Sequence, residues 1–271
     1  MNNTVDPLKQ SYQSLYDDFD SPLISQVRLE AYGEDIGQHS WSSADELRDD
    51  ARLLRLGPAS RLLDLGCGPC GPLTFLIAHT GCFGVGLELS PTAVKDGYAR
   101  AAALNVGSRF LARIADLNAP LPRDLGTFDA ALAIDVVLHV RDREALFRQI
   151  AGLLAPSGRF LVTDAGVITG QLSEDELLRR RRYGYTELVP EGWNEARLAS
   201  AGLRLLECEN RTSSVVRNAR GRLRALLNHR RELQILSGNA AFEEQLTYLE
   251  AVEATAARGA LSRFMYLAAA P

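Results

Sequence analysis

Three glycines with the spacing Gly-x-Gly-x-x-Gly, at Gly66, Gly68 and Gly71, begin two residues after an acidic residue, Asp64. The segment follows an apolar run and precedes a helical pattern, so it is predicted to form a strand-to-helix turn. Glycines let such a turn bend sharply and bring its amide groups against a ligand, which a Cβ would obstruct. The chemistry predicted for these residues is the binding of a cofactor that contains a nucleoside.

Two more acidic residues end the next two apolar stretches, Glu88 and Asp116. Asp64 would repel a pyrophosphate, but it would attract the α-ammonium group of a methionine moiety or a nearby sulfonium. Glu88 can accept hydrogen bonds from both ribose hydroxyls, and Asp116 can accept one from an adenine amine. The three acids therefore favour S-adenosyl-L-methionine as the cofactor. A nicotinamide-dependent oxidoreductase, NAD(P)-dependent and built on the same glycine spacing, is the alternative.

The same turn contains Cys67-Gly68-Pro69-Cys70, the spacing of a thioredoxin-type redox pair. Thiols at a helix N-terminus have lowered pKa values, which gives the redox hypothesis a physical basis. That hypothesis leaves the three acids without a role, so we expect the cysteines to act as small, modestly apolar turn residues. Only four cysteines occur in the chain, which indicates a reducing compartment rather than a disulfide framework.

The composition of the chain limits the classes of protein to which it can belong. The chain has 271 residues, 46% of them hydrophobic, and a net charge of -4, so it can bury a substantial core and lacks a generally basic surface for nucleic acid. No signal-like start and no apolar stretch near the ~20 residues of a membrane span occur, so a cytoplasmic protein without membrane or nucleic-acid partners is expected. No metal is required by these residues. Arginine runs, Arg179 to Arg182 and a looser one from Arg217 to Arg231, indicate either solvated helix faces or an anion-binding rim beside the active site.

Strands and helices are predicted to alternate from Ser60 onward. Strands are expected at about 60–65, 83–88, 108–114, 128–134, 158–163 and 203–209, with helices near 72–80, 91–104 and 142–154. Short apolar strands that alternate with helices indicate an α/β fold, a mostly parallel sheet with helices on both faces. Ligands bind at the carboxyl ends of such strands, where the three acids fall.

The remaining segments are predicted to cover this core. A helical arm precedes it, and a helical, arginine-rich segment interrupts it before a last apolar run. The predicted division is an N-terminal helical lid over 1–42, a cofactor-binding Rossmann-like core over 43–212, a helical cap over 213–260, and the final strand of the core over 261–271.

The segment Leu63-Asp64-Leu65-Gly66-Cys67-Gly68, with Glu88, Asp116 and the strand beginning Phe128-Asp129, resembles the class I S-adenosylmethionine-dependent methyltransferases. The resemblance implies a seven-stranded sheet whose final strand inserts antiparallel, with Arg263 to Leu267 as the candidate. It also implies a cofactor site made of Gln38, Asp64, Gly66, Cys67, Gly68, Glu88, Leu89, Asp116, Leu117 and Asp135.

A narrower similarity rests on Asp135-Val136-Val137-Leu138-His139 and on Tyr32-Gly33-Glu34-Asp35. These segments resemble the small-molecule N-methyltransferases that include the phosphoethanolamine and sarcosine enzymes. The resemblance implies that Asp135 and His139 lie over the methyl-transfer site, and that Tyr185 contacts the substrate. It weakens at Ala165, where that group has an aromatic residue that holds the substrate phosphate.

If Asp135 and His139 share one helical turn, the carboxylate can fix the imidazole tautomer and raise its basicity. His139 is then the candidate general base, and packing at a strand-helix junction is the alternative. Tyr16 and Tyr32 are weaker candidates for substrate contact, with core packing as their alternative. The expected activity is methyl transfer to a small molecule with a nitrogen or oxygen nucleophile, and C-methylation in a natural-product pathway is the alternative.

Overall fold

The computed structural model describes residues 16, 18–181 and 185–271, and the strands among them form one sheet. In chain order they are β1 (Arg61–Leu65), β2 (Phe83–Glu88), β3 (Phe110–Ile114), β4 (Phe128–Ile134), β5 (Leu154–Ile168), β6 (Val189–Pro190), β7 (Arg204–Asn210) and β8 (Leu261–Ala269).

The sheet has the order β3-β2-β1-β4-β5-β8-β7, and β6 pairs with the end of β5. Strands β1 to β5 pair in parallel, whereas β8 runs antiparallel to both β5 and β7. The predicted α/β class and the antiparallel final strand are confirmed. The sheet has eight strands rather than seven because the two residues of β6 add a short parallel pairing beside Val167 and Ile168.

Ten α-helices lie among the described residues. They are α1 (Pro22–Tyr32), α2 (Ala44–Leu53), α3 (Gly71–Thr80), α4 (Pro91–Ala103), α5 (Arg143–Leu153), α6 (Glu174–Arg180), α7 (Trp193–Ser200), α8 (Thr212–Asn228), α9 (Arg230–Ser237) and α10 (Asn239–Ala257). In the part of the chain that the structure describes, no helix is both long and apolar enough to cross a membrane.

Two hydrophobic clusters cover the two faces of the sheet. Adjacent strand residues point to opposite faces, so Leu63 joins the cluster with α5 and α7, while Leu62 joins the cluster with α2, α3 and α4. Both leucines are fully buried. The central strands β1, β2 and β4 are therefore buried on both sides, which is why they are mostly apolar, whereas the edge strand β7 is exposed along its length.

A third cluster joins the N-terminal helix to the helical segment before β8. Leu23 and Val27 of α1 pack with Ala219 of α8 and Phe242 and Leu249 of α10. The same cluster contains two residues that lie next to the carboxyl ends of the strands, Trp41 and Ala165. The arm and the cap thus form one packed layer that reaches the edge where ligands of parallel sheets bind.

Candidate functional site

One cavity lies at the carboxyl ends of β1, β2 and β4, under the N-terminal segment and the cap. The residues that line it are Tyr16, Gly37, His39, Ser40, Trp41, Asp64, Gly66, Cys67, Gly68, Pro69, Pro72, Glu88, Leu89, Ala115, Asp116, Leu117, Asn118, Ile134, Asp135, Val136, Leu138, His139, Val140, Ala165, Arg180, Arg222 and Tyr248.

The glycine turn after β1 forms the floor of this cavity. Its first amides, from Gly66 and Cys67, donate to the carbonyl of Leu87 over 2.7 and 3.1 Å. Gly66 has a φ of 64°, and a Cβ there would overlap the Val136 side chain. Only glycine fits this position, because any other residue would be strained at this φ and its side chain would fill the space inside the turn.

The N-terminal segment lies directly against the turn at Gly71. A Cβ on Gly71 would overlap the carbonyl oxygen of Gly37. Gly37 and its neighbour His39 both line the cavity, so this close approach positions one wall of it. Tyr16 packs edge-on against Phe19 and also lines the cavity.

Asp64 lies on the cavity wall, and only 2% of its surface is exposed. Among the residues that the structure describes, none donates a hydrogen bond to its carboxylate. Burial, and to a lesser extent the charge of Glu88, raise the pKa of Asp64 to about 8. A cation that binds in this cavity would favour the ionised carboxylate.

Glu88 lies at the end of β2, and its two carboxylate oxygens accept the amides of Gly68 and Ser90 over 3.0 and 2.9 Å. Burial raises the pKa of Glu88, while these amide bonds oppose that change. Each oxygen retains a second lone pair, so the carboxylate can still accept from hydroxyls.

Asp116 follows β3, and its carboxylate accepts a hydrogen bond from the backbone amide of Asn118 over 2.9 Å. The Asn118 side chain in turn accepts the amide of Arg141 over 2.8 Å and donates to the His139 carbonyl over 3.4 Å. Asn118 therefore ties the loop after β3 to the loop that carries His139.

Asp135 directly follows β4 and has a φ of 52°, a conformation that residues other than glycine rarely adopt. Its carboxylate accepts hydrogen bonds from the Arg263 guanidinium over 2.8 Å, the Thr163 hydroxyl over 2.9 Å and the Trp41 amide over 3.0 Å. Arg263 of β8 is fully buried and also pairs with Glu46 of α2. This network joins the last strand, the N-terminal segment and the cavity.

His139 ends a short 3₁₀ helix, Val137–His139, after Asp135. Its Nδ1 lies 2.9 Å from the carbonyl of Tyr185. Since a carbonyl can only accept, Nδ1 carries the proton, and the lone pair of the neutral ring is on Nε2. Burial lowers the pKa of His139, and the Tyr185 carbonyl opposes this change.

The expected pairing of Asp135 with His139 is therefore wrong. Asp135 lies outside the 3₁₀ helix, and its carboxylate is held by Arg263, Thr163 and Trp41. The expected rise in imidazole basicity is wrong as well, because burial is the largest influence on the pKa of His139 and lowers it.

Comparison with known proteins agrees with this architecture. Residues 63–160 match a family model described as a methyltransferase domain. A phosphoethanolamine N-methyltransferase 1 of Zea mays is 27% identical over 203 residues, which cover 74% of this chain and 39% of that protein. A ubiquinone biosynthesis O-methyltransferase of Xanthomonas axonopodis pv. citri is 29% identical, over 68% of this chain and 77% of the other.

Among solved structures, the phosphoethanolamine N-methyltransferase 2 of Haemonchus contortus superposes with a TM-score of 0.81 at 19% identity. The match covers 99% of this chain and 61% of that one. Residues 63–160 form a methyltransferase domain. The chain spans about two fifths of the length of the maize relative. The methyltransferase domain family uses S-adenosylmethionine as its cofactor.

Most residues that the sequence predicts for the methyltransferase site lie on the one cavity. These are Tyr16, Asp64, Gly66, Cys67, Gly68, Glu88, Leu89, Asp116, Leu117, Asp135 and His139. Three do not line it. Gln38 is buried and bonds the backbone at Ile36 and Glu34, the Tyr32 hydroxyl donates to the Ser40 carbonyl over 2.8 Å, and Tyr185 contributes its carbonyl to His139.

Sequence reasoning did not assign Asn118, Arg180, Arg222 and Tyr248 to the site, yet all four line the cavity. The only signal for the two arginines was the alternative that the arginine runs form an anion-binding rim. Asn118 and Tyr248 carried no signal, because their place depends on how distant segments pack.

Proposed function

We propose that the protein transfers a methyl group from S-adenosylmethionine to a small-molecule acceptor. One observation carries the proposal: a buried carboxylate, Asp64, stands beside a glycine cradle with no hydrogen-bond donor from the described residues. A buried carboxylate in that state costs free energy unless a cation or a proton compensates it. The α-ammonium group of the methionine moiety supplies the matching charge, whereas a pyrophosphate would be repelled, so an oxidoreductase is disfavoured.

The residues present fit the cofactor. Asp64 and the glycine turn would hold the methionine end, Glu88 the ribose, and Asp116 with Leu117 the adenine. When bound, the cofactor supplies a methyl group on an electrophilic sulfonium. The protein must then align the acceptor with that methyl group and exclude water, which the arm and the cap are placed to do.

His139 is the proposed general base. Its contact with the Tyr185 carbonyl fixes the tautomer with the lone pair on Nε2, and its lowered pKa keeps the ring neutral at pH 7. A neutral imidazole on the cavity wall can take a proton from an acceptor nitrogen or oxygen as the new bond forms. Asp135 is proposed to act in positioning, because it fixes the Trp41 amide over the cavity.

The acceptor is proposed to attack through nitrogen or oxygen. The named relatives include an N-methyltransferase and an O-methyltransferase, and a histidine base serves both. Carbon methylation remains the alternative, and the identity of the methylated atom in the product separates the two.

Two variants test the assigned roles, with His79→Gln as a matched control because His79 is exposed and lies outside the cavity. Binding of S-adenosylhomocysteine is measured by calorimetry, and methyl transfer is measured against a panel of amines, phenols and activated carbon acids. Asp64→Asn should bind the cofactor much more weakly than the wild type. His139→Gln should bind the cofactor normally and turn over about 10²–10⁴-fold more slowly. Equal loss of cofactor binding in both variants would contradict the assigned roles.

A further inference from the structure

Arg180, the last residue of α6, places a buried positive charge on the wall of the cavity. It is 6% exposed, and its guanidinium donates to the Tyr248 hydroxyl and to the Ala165 carbonyl, each over 3.2 Å. Its Nε–H is buried and has no hydrogen-bond acceptor in the described part of the chain. Both of its acceptors among the described residues are neutral groups.

Within the described ranges, no carboxylate lies within salt-bridge distance of Arg180. Other buried arginines in this protein are paired: Arg143 with Asp164 over 2.6 Å, and Arg263 with Asp135 over 2.8 Å. An arginine stays protonated even when buried, and a buried charge without a counter-ion is costly. Among the residues that the structure describes, Arg180 therefore has no anionic partner, and an anion bound in the cavity would supply one.

A second arginine reaches the same cavity from the cap. Arg222 of α8 lies 5.0 Å from the centre of the Trp41 ring, and both residues line the cavity. The acids Asp64, Glu88 and Asp116 lie at the opposite, strand side. The cavity thus has an acidic half for a cationic cofactor and a basic half formed by α6 and the cap.

We propose that the acceptor is an anion, a carboxylate or a phosphate monoester, whose charged group binds the Arg180 guanidinium with Arg222 as a second contact. This inference rests on the proposed methyl transfer and names its substrate class. The site differs from the one that the resemblance implies, because Tyr32 and Tyr185 do not line the cavity and Ala165 contributes only a backbone carbonyl to Arg180.

The arrangement also orients the acceptor. Arg180 and His139 line the same cavity. An acceptor anchored by its anionic end at Arg180 can present its nucleophilic end to His139. A neutral analogue would lose the anchor and with it the alignment.

The test is a binding titration with three probes of similar size: benzoate, phenyl phosphate and benzamide. Each is titrated by calorimetry into the protein already saturated with S-adenosylhomocysteine. We expect benzoate, phenyl phosphate or both to bind at least tenfold more tightly than benzamide, since a guanidinium forms charge-assisted bonds with an anion only. The stronger of the two anions identifies the charged group.

Arg180→Gln should weaken that binding at least tenfold and leave the affinity for S-adenosylhomocysteine unchanged. Arg180→Lys, which keeps the positive charge, should retain part of the affinity for the anion. Arg181→Gln is the matched control, because Arg181 is the exposed neighbour on the same helix end. Equal binding of benzoate, phenyl phosphate and benzamide, or anion binding that survives in Arg180→Gln, would overturn the inference. Failure of S-adenosylhomocysteine to bind the wild-type protein would instead overturn the proposed function.

Discussion

The buried Asp64 carboxylate should make cofactor binding release a proton. Burial and the charge of Glu88 raise its pKa to about 8, so at pH 7 about 90% of the molecules without cofactor hold the proton. The α-ammonium group of S-adenosylhomocysteine favours the ionised form. Binding at pH 7 should therefore release about 0.9 proton per cofactor, and binding at pH 8 about 0.5.

The same equilibrium gives the affinity a definite pH dependence. Because only the ionised carboxylate pairs with the ammonium group, the apparent dissociation constant should rise about 50-fold from pH 8 to pH 6. Each pH unit well below 8 corresponds to about 1.4 kcal/mol of binding free energy. Proton release is measured by repeating the calorimetric titration in buffers that differ in their enthalpy of ionisation, since the slope of observed heat against that enthalpy is the number of protons.

Two variants provide the control for this prediction. Asp64→Asn keeps the shape but cannot release the proton, so its slope should fall to near zero and its affinity should drop. Glu88→Gln should retain most of the release, because burial raises the Asp64 pKa more than the charge of Glu88 does. A wild-type slope of zero, or an Asp64→Asn slope equal to that of the wild type, would refute the reasoning.

Three further perturbations follow from the packing around the cavity. Arg263→Leu leaves the Asp135 carboxylate buried without its guanidinium and should lower the free energy of unfolding by about 3–5 kcal/mol in denaturant titrations. Adding Asp135→Asn should restore part of that free energy, and no recovery in the double variant would contradict the pairing. Gly71→Ala places a Cβ on the carbonyl of the N-terminal segment and should weaken S-adenosylhomocysteine binding at least about tenfold, whereas Gly152→Ala, with open space around it, should bind like the wild type. Because burial lowers the His139 pKa in the folded protein, the unfolded chain takes up the proton first, so stability should fall as the pH drops below about 6.5. The melting temperature of His139→Gln should fall less over the same pH range. An equal fall in both proteins would contradict the lowered pKa of His139.

Local patterns were sufficient to predict the strand side of the site. Asp64 and Glu88 lie at the carboxyl ends of β1 and β2, Asp116 follows β3, and the ends of parallel strands meet at one edge. The alternation of strands and helices predicted the parallel part of the sheet, and the family resemblance implied the antiparallel final strand. The strand bounds failed mainly at β5, which runs from Leu154 to Ile168, because residues after Thr163 continue to pair with β8 and β6.

The arm and cap side was not predictable in this way. Arg263 and Asp135 are 128 positions apart, and only the insertion of β8 next to β5 brings them together. Arg179 and Arg180 are neighbours in one arginine run, yet Arg179 pairs with Asp175 near the surface while Arg180 is buried in the cavity. Residue type and spacing do not distinguish these environments, because each depends on where α6 packs against α10.

The central claim, that this cavity binds a cationic methionine-derived nucleoside rather than a dinucleotide, is tested most directly by two calorimetric titrations of the same protein. One uses S-adenosylhomocysteine and the other NADH, under identical buffer conditions. The arrangement of Asp64, Glu88 and the glycine turn predicts one molecule of S-adenosylhomocysteine bound per chain and no heat from NADH. Saturable binding of NADH with no response to S-adenosylhomocysteine would contradict the assignment of every cofactor contact described above.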